Sequence, residues 1–382
     1  MITAYKFKIF SSADELPATW NEVADGNVFL SQKYLQVLSL SCPKNMVCRF
    51  IGLYQNEELI GVAIAEFLDL NLLESFGERD QCFKTSVRNF VFRNFASHVL
   101  FLGNNMLTGQ HAFRLLREAD PKKATQTLYW AAEALKIEFA QLGKKVHIVT
   151  YKDFDAEQIK SFEHHRFSSF YKFSTQPNML FHVQENWKTE EDYVNALNKK
   201  YRDQYKRVRK KELGIEKHRM TLEEVKANES QIYELYFHVA KNAPFNTFFL
   251  AQNHFSVFKE IFGDAFLFYG YYLNEKLVGF NTMIVNGDSL DTYFLGYDDM
   301  VQREKMLYLN MLYDMIACAI HKNYRELVFS RTALEIKSSV GAVPVDTYGY
   351  IEHKNALINR CMSTLFGYLE PEVQWNPRNP FK

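Results

Sequence analysis

The sequence lacks the features of a membrane-spanning or exported protein. No apolar stretch approaches the roughly 20 residues that a helix needs to cross a bilayer, and positions 1–8 have no apolar region like that of a signal peptide. The 5 cysteines show neither a zinc-ligand spacing nor an even disulfide framework. They are Cys42, Cys48, Cys82, Cys318 and Cys361. We therefore expect a cytoplasmic protein with free thiols and no metal, while peripheral contact with a membrane stays open.

The chain also lacks an excess of charge and the common catalytic motifs. Its 45 Lys and Arg balance 45 Asp and Glu, so nothing global indicates a nucleic-acid partner. It has no G-x-S-x-G, no phosphate-binding P-loop, no G-x-G-x-x-G and no H-E-x-x-H. What it has is 47% hydrophobic residues, including 33 Phe and 22 Tyr, over 382 positions. This composition predicts a packed globular protein with two cores.

One segment of the sequence occurs twice. Positions 51–62 align without a gap with positions 269–280, and Gly, Tyr, Asn-Glu, Leu and Gly recur at matching places. Each copy is typical of a strand, a tight turn at Asn-Glu and a second strand. Two such similar hairpins so far apart indicate a duplicated domain.

The repeat continues beyond the hairpin. An apolar helix at 128–139 precedes a buried strand at 146–149, and a second helix at 307–320 precedes a strand at 327–329. Hairpin, helix and strand, made twice, predict an α/β (α+β) protein with two tandem domains, each a mixed central sheet flanked by helices. We place the domains at 1–175 and 176–366, followed by an extended Pro-rich tail at 367–382.

A basic segment lies near the start of the second predicted domain. Eight Lys and Arg residues accompany a single acid, Asp203, between positions 199 and 211. Apolar residues recur there at three- to four-residue spacing, which predicts an amphipathic helix. These residues are Tyr193, Leu197, Tyr201, Tyr205 and Val208. The cationic face is either a solvated surface or an anion site for phosphates of a substrate, acidic lipid or RNA. Its candidate contacts are Arg202, Lys206, Arg207 and Lys210.

An ordered set of segments in the second half is similar to a known family. The set comprises the basic helix at 195–210, the hairpin at 270–280, a strand at 291–298, the long helix at 307–320, and a strand at 329–332 followed by Lys337 and a Gly-Ala-x-Pro turn at 341–344. It resembles the tandem GNAT acyltransferases, in the branch of the Fem-type peptidyltransferases and related bacterial N-acyltransferases. The resemblance spans roughly 180–355 and reaches the first half through the repeat.

The chain departs from ordinary acetyl-coenzyme-A-dependent GNAT proteins at one point. Those proteins carry a Gly-rich turn before the long helix, where backbone N–H groups hold the pyrophosphate. The corresponding stretches here, 302–307 and 121–126, contain no glycine. We expect no tightly bound cofactor. The acyl donor enters as a co-substrate and is acyl-coenzyme A, an acyl carrier protein or aminoacyl-tRNA, with free acetyl-coenzyme A bound weakly.

The resemblance implies where acyl transfer takes place. In this fold, splayed central strands expose backbone donors for the acyl carbonyl, and side chains at strand ends handle protons. Lys337 is similar to a lysine of the Fem-type pattern and is expected to stabilise the oxyanion. The catalytic candidates are Lys337, Arg331, Tyr293 and Asp298. The substrate-binding candidates, besides the four cations of the basic helix, are Asn281, Asp291, Tyr297 and Tyr348.

The family likeness implies an enzyme, an N-acyltransferase that moves an acyl group to an amine, with its active site in the second domain. The acceptor is an amine-bearing small molecule, a lipid or a peptidoglycan precursor. Two alternatives stay open. One is a Fem-type peptidyltransferase that binds aminoacyl-tRNA through the basic helix, although the family's helical hairpin insertion is not evident. The other is an inactive GNAT pair that serves as a binding module.

Overall fold

The computed structural model describes residues 5–72, 96–243, 246–369 and 375–382. The first stretch of elements comprises β1 (Lys6–Phe10), α1 (Trp20–Val23), α2 (Gln32–Ser41), β2 (Met46–Gln55), β3 (Glu58–Asp69), β4 (His98–Leu102), β5 (Phe113–Leu115), α3 (Pro121–Gln141), β6 (Ile148–Phe154) and β7 (Tyr171–Ser174). The second comprises β8 (Asn178–His182), α4 (Glu190–Ala196), α5 (Lys199–Lys211), β9 (Ile215–Arg219), α6 (Leu222–Ala227), α7 (Glu229–Lys241), α8 (His254–Phe262), β10 (Phe266–Leu273), β11 (Lys276–Asn286), β12 (Ser289–Tyr297), α9 (Asp299–Lys305), α10 (Leu307–His321), β13 (Glu326–Ser330), α11 (Leu334–Ser339) and β14 (Val343–Val345). The last comprises β15 (Tyr348–His353), α12 (Ala356–Arg360) and α13 (Met362–Leu369).

These elements form two compact units, each built on one mixed sheet. Unit 1 contains Met1–Thr175, Thr247–Ala251 and Asp346–Glu372, and unit 2 contains Gln176–Asn246, Gln252–Val345 and Val373–Lys382. The sheet of unit 1 has the strand order β1-β2-β3-β4-β6-β15-β7, with β5 beside β3. The sheet of unit 2 has the order β9-β10-β11-β12-β13-β8-β14. The architecture is therefore a mixed α/β fold made of two tandem GNAT-like domains.

The two sheets have the same order of strands, position by position. In each, an antiparallel ribbon leads to one parallel pair, β4 with β6 and β12 with β13. A long helix joins the two strands of each parallel pair, because parallel neighbours need a crossover connection. These helices are α3 and α10. The duplication inferred from the hairpins therefore extends through both domains.

The sixth strand of each sheet comes from outside the repeated segment that supplies its other strands. β8 follows the first repeat in sequence but pairs with β13 and β14 in unit 2. β15 follows the second repeat but pairs with β6 and β7 in unit 1. The two repeats thus exchange one strand each. This exchange corrects the expectation that residues 346–366 belong to the second domain, and with them Tyr348. The hairpin repeat gave no information about where these strands pair.

The two hairpins are alike in detail. Asn56 and Glu57 have φ values of 49° and 66°, and Asn274 and Glu275 have 50° and 64°. Positive φ at both central residues is the signature of a type I′ turn, whose twist matches that of the strands. The pairing also shifts at the same place, between Leu53 and Tyr54 and between the matching Tyr271 and Tyr272.

The recurring first glycine of the hairpin has a packing reason. A Cβ on Gly52 would lie 2.9 Å from the ring of Tyr54, and a Cβ on Gly270 would lie 2.8 Å from the ring of Tyr272. The tyrosine two residues further along the strand covers the glycine in both repeats. The recurrence of Gly and Tyr at this spacing is therefore one feature, because a side chain on the glycine would displace the ring.

The basic segment forms two helices where the spacing predicted one. α4 begins with a capping box, in which the Thr189 side chain and Asp192 bond each other's backbone N–H groups. It ends at Leu197, which is extended and forms a bridge with Phe381. The Asn198 side chain then accepts a hydrogen bond from Tyr201 N and begins α5. The apolar spacing continues across the break because both helices pack on one core.

The tail differs in part from the expected extended segment. α13 continues to Leu369, and residues 370–374 lie outside the described chain. Phe381 packs near Trp187 and Tyr193, with ring centroids 5.7 and 6.2 Å away. The last residues therefore complete the core of unit 2.

Candidate active site

In unit 2 the two parallel strands separate part of the way along their length. β12 pairs with β13 only at Ser289–Glu326, Leu290–Leu327 and Asp291–Val328. Beyond Asp291, β12 bulges opposite β11, where Asn281 pairs with Leu295 and Met283 with Thr292. Backbone groups on one edge of β12 after Asp291 therefore have no strand partner within the described chain. Such an edge can bind an extended ligand or polarise a carbonyl. We call this gap the strand split.

Lys337 lies at the carboxyl end of β13, beside the strand split. It is carried by α11, and 5% of its surface is exposed. Its ammonium group donates hydrogen bonds to the backbone carbonyls of Ser330 and Arg331. Burial lowers the pKa of Lys337 to about 7. An ammonium group has three N–H donors, and the bonds to Ser330 and Arg331 use two of them.

The segment that Lys337 holds is conformationally strained. Ser330, Thr332 and Ala333 have φ values of 60°, 66° and 48°, in the left-handed region that non-glycine residues avoid. Left-handed residues that cluster in this way need surrounding structure to hold them. Arg331 is half-buried within this segment. Lys337 thus bonds directly to the backbone of this strained segment, at Ser330 and Arg331.

The other strand candidates are divided between the two faces of the sheet. Asn281 points towards α10 and donates to the Tyr271 hydroxyl over 2.7 Å. Tyr297 packs near Tyr308 of α10, with ring centroids 6.3 Å apart. Tyr293 points the other way and bonds to His254 of α8 over 2.9 Å. The extra residue of the bulge between Thr292 and Leu295 shifts the alternation of side chains along β12. Tyr293 and Tyr297 therefore lie on opposite faces, and these residues do not form a single site.

Asp291 lies on the same side as Tyr293 and is 3% exposed. Its carboxylate accepts a hydrogen bond of 3.2 Å from Asn286 Nδ2. Burial raises its pKa to about 7, and nearby Glu326 adds to the effect. Tyr293 packs within a cluster of aromatic rings, for example 5.4 Å from Phe258. Both side chains are therefore accounted for by the core between the sheet and α8.

The starts of the helices near the split are closed by the protein's own side chains. Asp298 begins α9, and its carboxylate accepts hydrogen bonds from Met300 N and Val301 N. At the start of α10, Tyr308 N donates to Gln302 Oε1 over 2.7 Å. In unit 1 the Asp120 carboxylate accepts from Lys122 N and Lys123 N at the start of α3. One backbone donor at the start of α10 and two at the start of α3 are thus already in use.

The cations of the basic helix fall into two groups. Arg202 donates to the Leu197 carbonyl at the end of α4, and this contact gives it a structural role. Lys206, Arg207 and Lys210 are exposed, and none of them forms an ion pair with the described residues. These three side chains remain as a cationic face that a partner could contact.

Tyr348 lies on β15 in unit 1, where its ring is 5.7 Å from the Lys172 ammonium. It pairs with Phe154 and Ser174 in the first sheet. It is therefore not part of the second sheet, in which the sequence analysis placed it.

A buried polar network next to Asn281 escaped the sequence analysis. The Tyr271 hydroxyl donates to Asp314 Oδ2 over 2.7 Å, and Arg209 bonds to Asp314 Oδ1 over 2.9 Å. Lys217 lies 3.3 Å from the same carboxylate. The Oδ1 atom of Asn281 is buried and has no hydrogen-bond partner among the described residues. The only available signal was an acid, Asp314, on the apolar face of a long helix.

Unit 1 contains a second buried polar cluster that was missed. Glu66 is fully buried, and its Oε2 atom accepts two hydrogen bonds from Asn105. The backbone N–H of Asn105 donates over 2.8 Å and its side-chain amide over 2.7 Å. Lys152 pairs with Asp153 at 2.5 Å and donates to Asn104 O. Burial raises the pKa of Glu66 to about 7, while Asn105 and then Lys152 lower it. A charged residue inside the otherwise apolar β3 was the signal in the sequence.

The described residues contain neither a candidate metal site nor a helix that could span a membrane. No cluster of three or more His, Cys, Asp or Glu in the described ranges could hold a metal ion. Within those ranges, no helix is long and apolar enough to cross a bilayer.

Solved structures of tandem GNAT type share this fold. FemX superposes with a TM-score of 0.53 and 11% identity, over 94% of this chain and 99% of its own. A tandem GNAT protein from the clavulanic acid biosynthesis pathway superposes with a TM-score of 0.51 and 9% identity, over 92% of this chain and 99% of its own. A conserved protein of unknown function from Bacteroides thetaiotaomicron superposes with a TM-score of 0.50 and 10% identity, over 89% of this chain and 96% of its own. At these identities the likeness concerns the fold alone. No protein-family model and no curated protein matches the chain.

Proposed function

We propose that the protein is an N-acyltransferase whose acyl carbonyl binds in the strand split of unit 2. The observation that carries this proposal is the early end of pairing between β12 and β13 after Asp291. An extended donor arm that contains amide groups can pair with the unpaired edge of β12. Its carbonyl then lies against backbone N–H donors, which stabilise the negative charge that develops on the oxygen.

Lys337 supplies the second source of stabilisation in this proposal. The ammonium group binds the carbonyls of Ser330 and Arg331 and directs its third N–H bond to the acyl oxygen. The attacking amine loses a proton as the tetrahedral intermediate forms, and the leaving group takes up a proton as the intermediate collapses. Lys337 contributes most once the oxygen is negative, since burial disfavours its charge in the empty site.

The donor is best sought among acyl groups attached to a carrier. Asp120 and Gln302 already occupy backbone donors where a coenzyme A pyrophosphate would bind in an ordinary GNAT protein. Lys206, Arg207 and Lys210 offer an exposed cationic face on α5. An acyl carrier protein is acidic in its contact surface and presents its acyl group on a phosphopantetheine arm, and it suits both features.

A peptidyltransferase is a second candidate that one observation favours. The superposition covers 99% of the FemX chain and 94% of this one. The lack of an added helical hairpin therefore does not separate this chain from FemX. In that case the cationic face of α5 would contact the phosphates of aminoacyl-tRNA, and binding would weaken steeply with salt.

Product mass spectrometry with three donors tests the proposal. Acyl-coenzyme A, acyl carrier protein and aminoacyl-tRNA are each incubated with a panel of primary amines. The proposal predicts an amide product, with the carrier protein as the most effective donor. Product from aminoacyl-tRNA alone would assign the peptidyltransferase instead. The absence of product from every donor, with a folded protein, would favour the inactive binding module.

A further inference from the structure

Unit 1 contains a basic cavity that the proposed acyl transfer does not use. Two adjoining hollows of about 430 and 450 Å³ lie where β15 ends and α12 begins, and Lys136 and Lys354 line both of them. Lys145 completes the wall of one hollow and Arg360 that of the other. The cavity lies near the start of β6 at Ile148, and Phe154 lies at the other end of that strand.

The cations in this cavity are not neutralised by the protein. Lys145, Lys354 and Arg360 are exposed, and none of them forms an ion pair within the described residues. Lys136 pairs with Glu133 at 2.7 Å. The acid on the wall is Glu352, which accepts a hydrogen bond of 2.5 Å from Ser169. The walls therefore keep an excess of positive charge in a chain whose formal net charge is 0.

Two of the cations line the same hollow. Lys145 and Lys354 both lie on the wall of the second hollow, and burial followed by repulsion from Lys145 lowers the pKa of Lys354. Burial and then Lys354 also lower the pKa of His147, beneath the cavity, to about 4. Like charges that line one hollow repel each other unless an anion lies between them. A phosphate oxygen between the two ammonium groups would turn the repulsion into two charge-assisted hydrogen bonds.

We propose that this cavity binds a phosphate group, with Lys145 and Lys354 as its principal contacts. Lys136 and Arg360 add two further cations to the lining. The two adjoining hollows, of about 430 and 450 Å³, have room for a diphosphate or for the phosphorylated end of a larger metabolite. The ligand is thus a phosphate ester, either a soluble one or a phosphomonoester lipid headgroup. This site is independent of the strand split, and its test needs no acyl transfer.

Calorimetry with pyrophosphate at constant ionic strength tests the proposal on the whole chain. We expect one site per chain, and at least about a tenfold weaker affinity in Lys145→Gln and in Lys354→Gln, since each removes a hydrogen bond to a charged group. The matched control is Lys206→Gln with Lys210→Gln, which removes the same kind of charge from the exposed face of α5. This control should bind pyrophosphate like the unchanged protein.

Thermal melting supplies a readout that ordinary surface charge would not produce. Without phosphate, Lys354→Gln should melt at or above the temperature of the unchanged protein, because it removes a repulsion. With pyrophosphate, only the unchanged protein and the α5 control should gain stability.

A vesicle assay separates the two sources of phosphate. The protein is sedimented with phosphatidylcholine vesicles that contain phosphatidic acid. If the unchanged protein sediments, both cavity variants do not, and pyrophosphate does not bind, the cavity is assigned to a lipid headgroup. Pyrophosphate binding without sedimentation assigns it to a soluble ligand. The proposal is overturned if neither probe binds, or if the α5 control loses as much affinity as the cavity variants.

Discussion

The amide of Asn281 donates a hydrogen bond of 2.7 Å to the hydroxyl of Tyr271, and both side chains are fully buried on the face of the sheet covered by α10. The same hydroxyl donates to Asp314 over 2.7 Å. This chain links the sheet beside the strand split to the long helix.

Tyr271→Phe should lower the free energy of unfolding by about 1 to 3 kcal/mol, because it leaves the buried amide of Asn281 without its acceptor and removes one hydrogen bond to the carboxylate of Asp314. Urea unfolding measures this loss. Tyr269→Phe is the matched control on the same strand, since its hydroxyl has only a weak contact of 3.9 Å with Cys318 Sγ. Equal losses in the two variants would show that the network adds no stability.

Asp291→Asn should change how stability depends on pH. The pKa of Asp291 is raised from its usual 3.8 to about 7, so the folded state binds a proton more tightly than the unfolded chain. Its contribution to the free energy of unfolding is complete below pH 4 and is lost as pH rises to 7, with a slope of at most about 1.4 kcal/mol per pH unit.

Urea unfolding between pH 4 and pH 8 checks this prediction. The Asn variant should lose that part of the slope, while the exposed control Asp288→Asn keeps it. A slope unchanged in Asp291→Asn would contradict the raised pKa.

Glu275→Gly should stabilise unit 2 by about 1 kcal/mol, because glycine tolerates the φ of 64° that glutamate adopts at a cost. Glu275→Ala is the control, since alanine keeps the strain. Thermal melting that ranks Gly no higher than Ala would show that the turn is not strained. Glu57 is less suitable for this test because it pairs with Lys6 at 2.7 Å.

Acetyl-coenzyme A should not bind with low-micromolar affinity, since Asp120 and Gln302 occupy donors at the starts of the long helices. Calorimetry on a Lys145→Gln, Lys354→Gln double variant, which disables the phosphate cavity proposed in unit 1, should give similar weak affinities for the coenzyme and for phosphopantetheine, which lacks the nucleotide pyrophosphate. A clear advantage for the coenzyme would reveal a pyrophosphate site elsewhere.

Reversing Lys206, Arg207 and Lys210 to Glu should weaken the binding of an acyl carrier protein, and the remaining affinity should fall less with salt. The control reverses Lys33, Lys44 and Arg117, three exposed cations of unit 1, and changes the net charge equally. If both triple variants bind alike, the face of α5 is only a solvated surface.

The tandem fold could be predicted from the sequence because the repeat is local. The Gly-Tyr spacing and the Asn-Glu turn encode the hairpin within a few residues, and the spacing of apolar residues encodes α3 and α10. The pairing of β15 with the first sheet could not be predicted. A buried strand has the same pattern in either sheet, and only long-range packing decides its neighbours.

The position of Lys337 in the fold was predictable from the sequence, whereas the surroundings of the other candidate residues were not. Lys337 does lie at the end of the last strand of the parallel pair, as the family likeness implied. Tyr293, Asp291 and Asp298 were polar residues near strand ends, but the aromatic core, burial and a helix start account for them. The partners of Asn281 were not predictable, because Tyr271 and Asp314 come from a neighbouring strand and a later helix.

The most direct test of the proposed acyl transfer is the turnover of Lys337→Met, measured with the best donor and amine beside the exposed control Lys322→Met. Melting temperature serves as the folding control, because Lys337 also holds the segment at Ser330. If Lys337 stabilises the oxyanion, kcat falls by about 100-fold or more while KM changes little. A well-folded Lys337→Met protein with near-normal kcat would contradict the account and place the lysine among the structural residues.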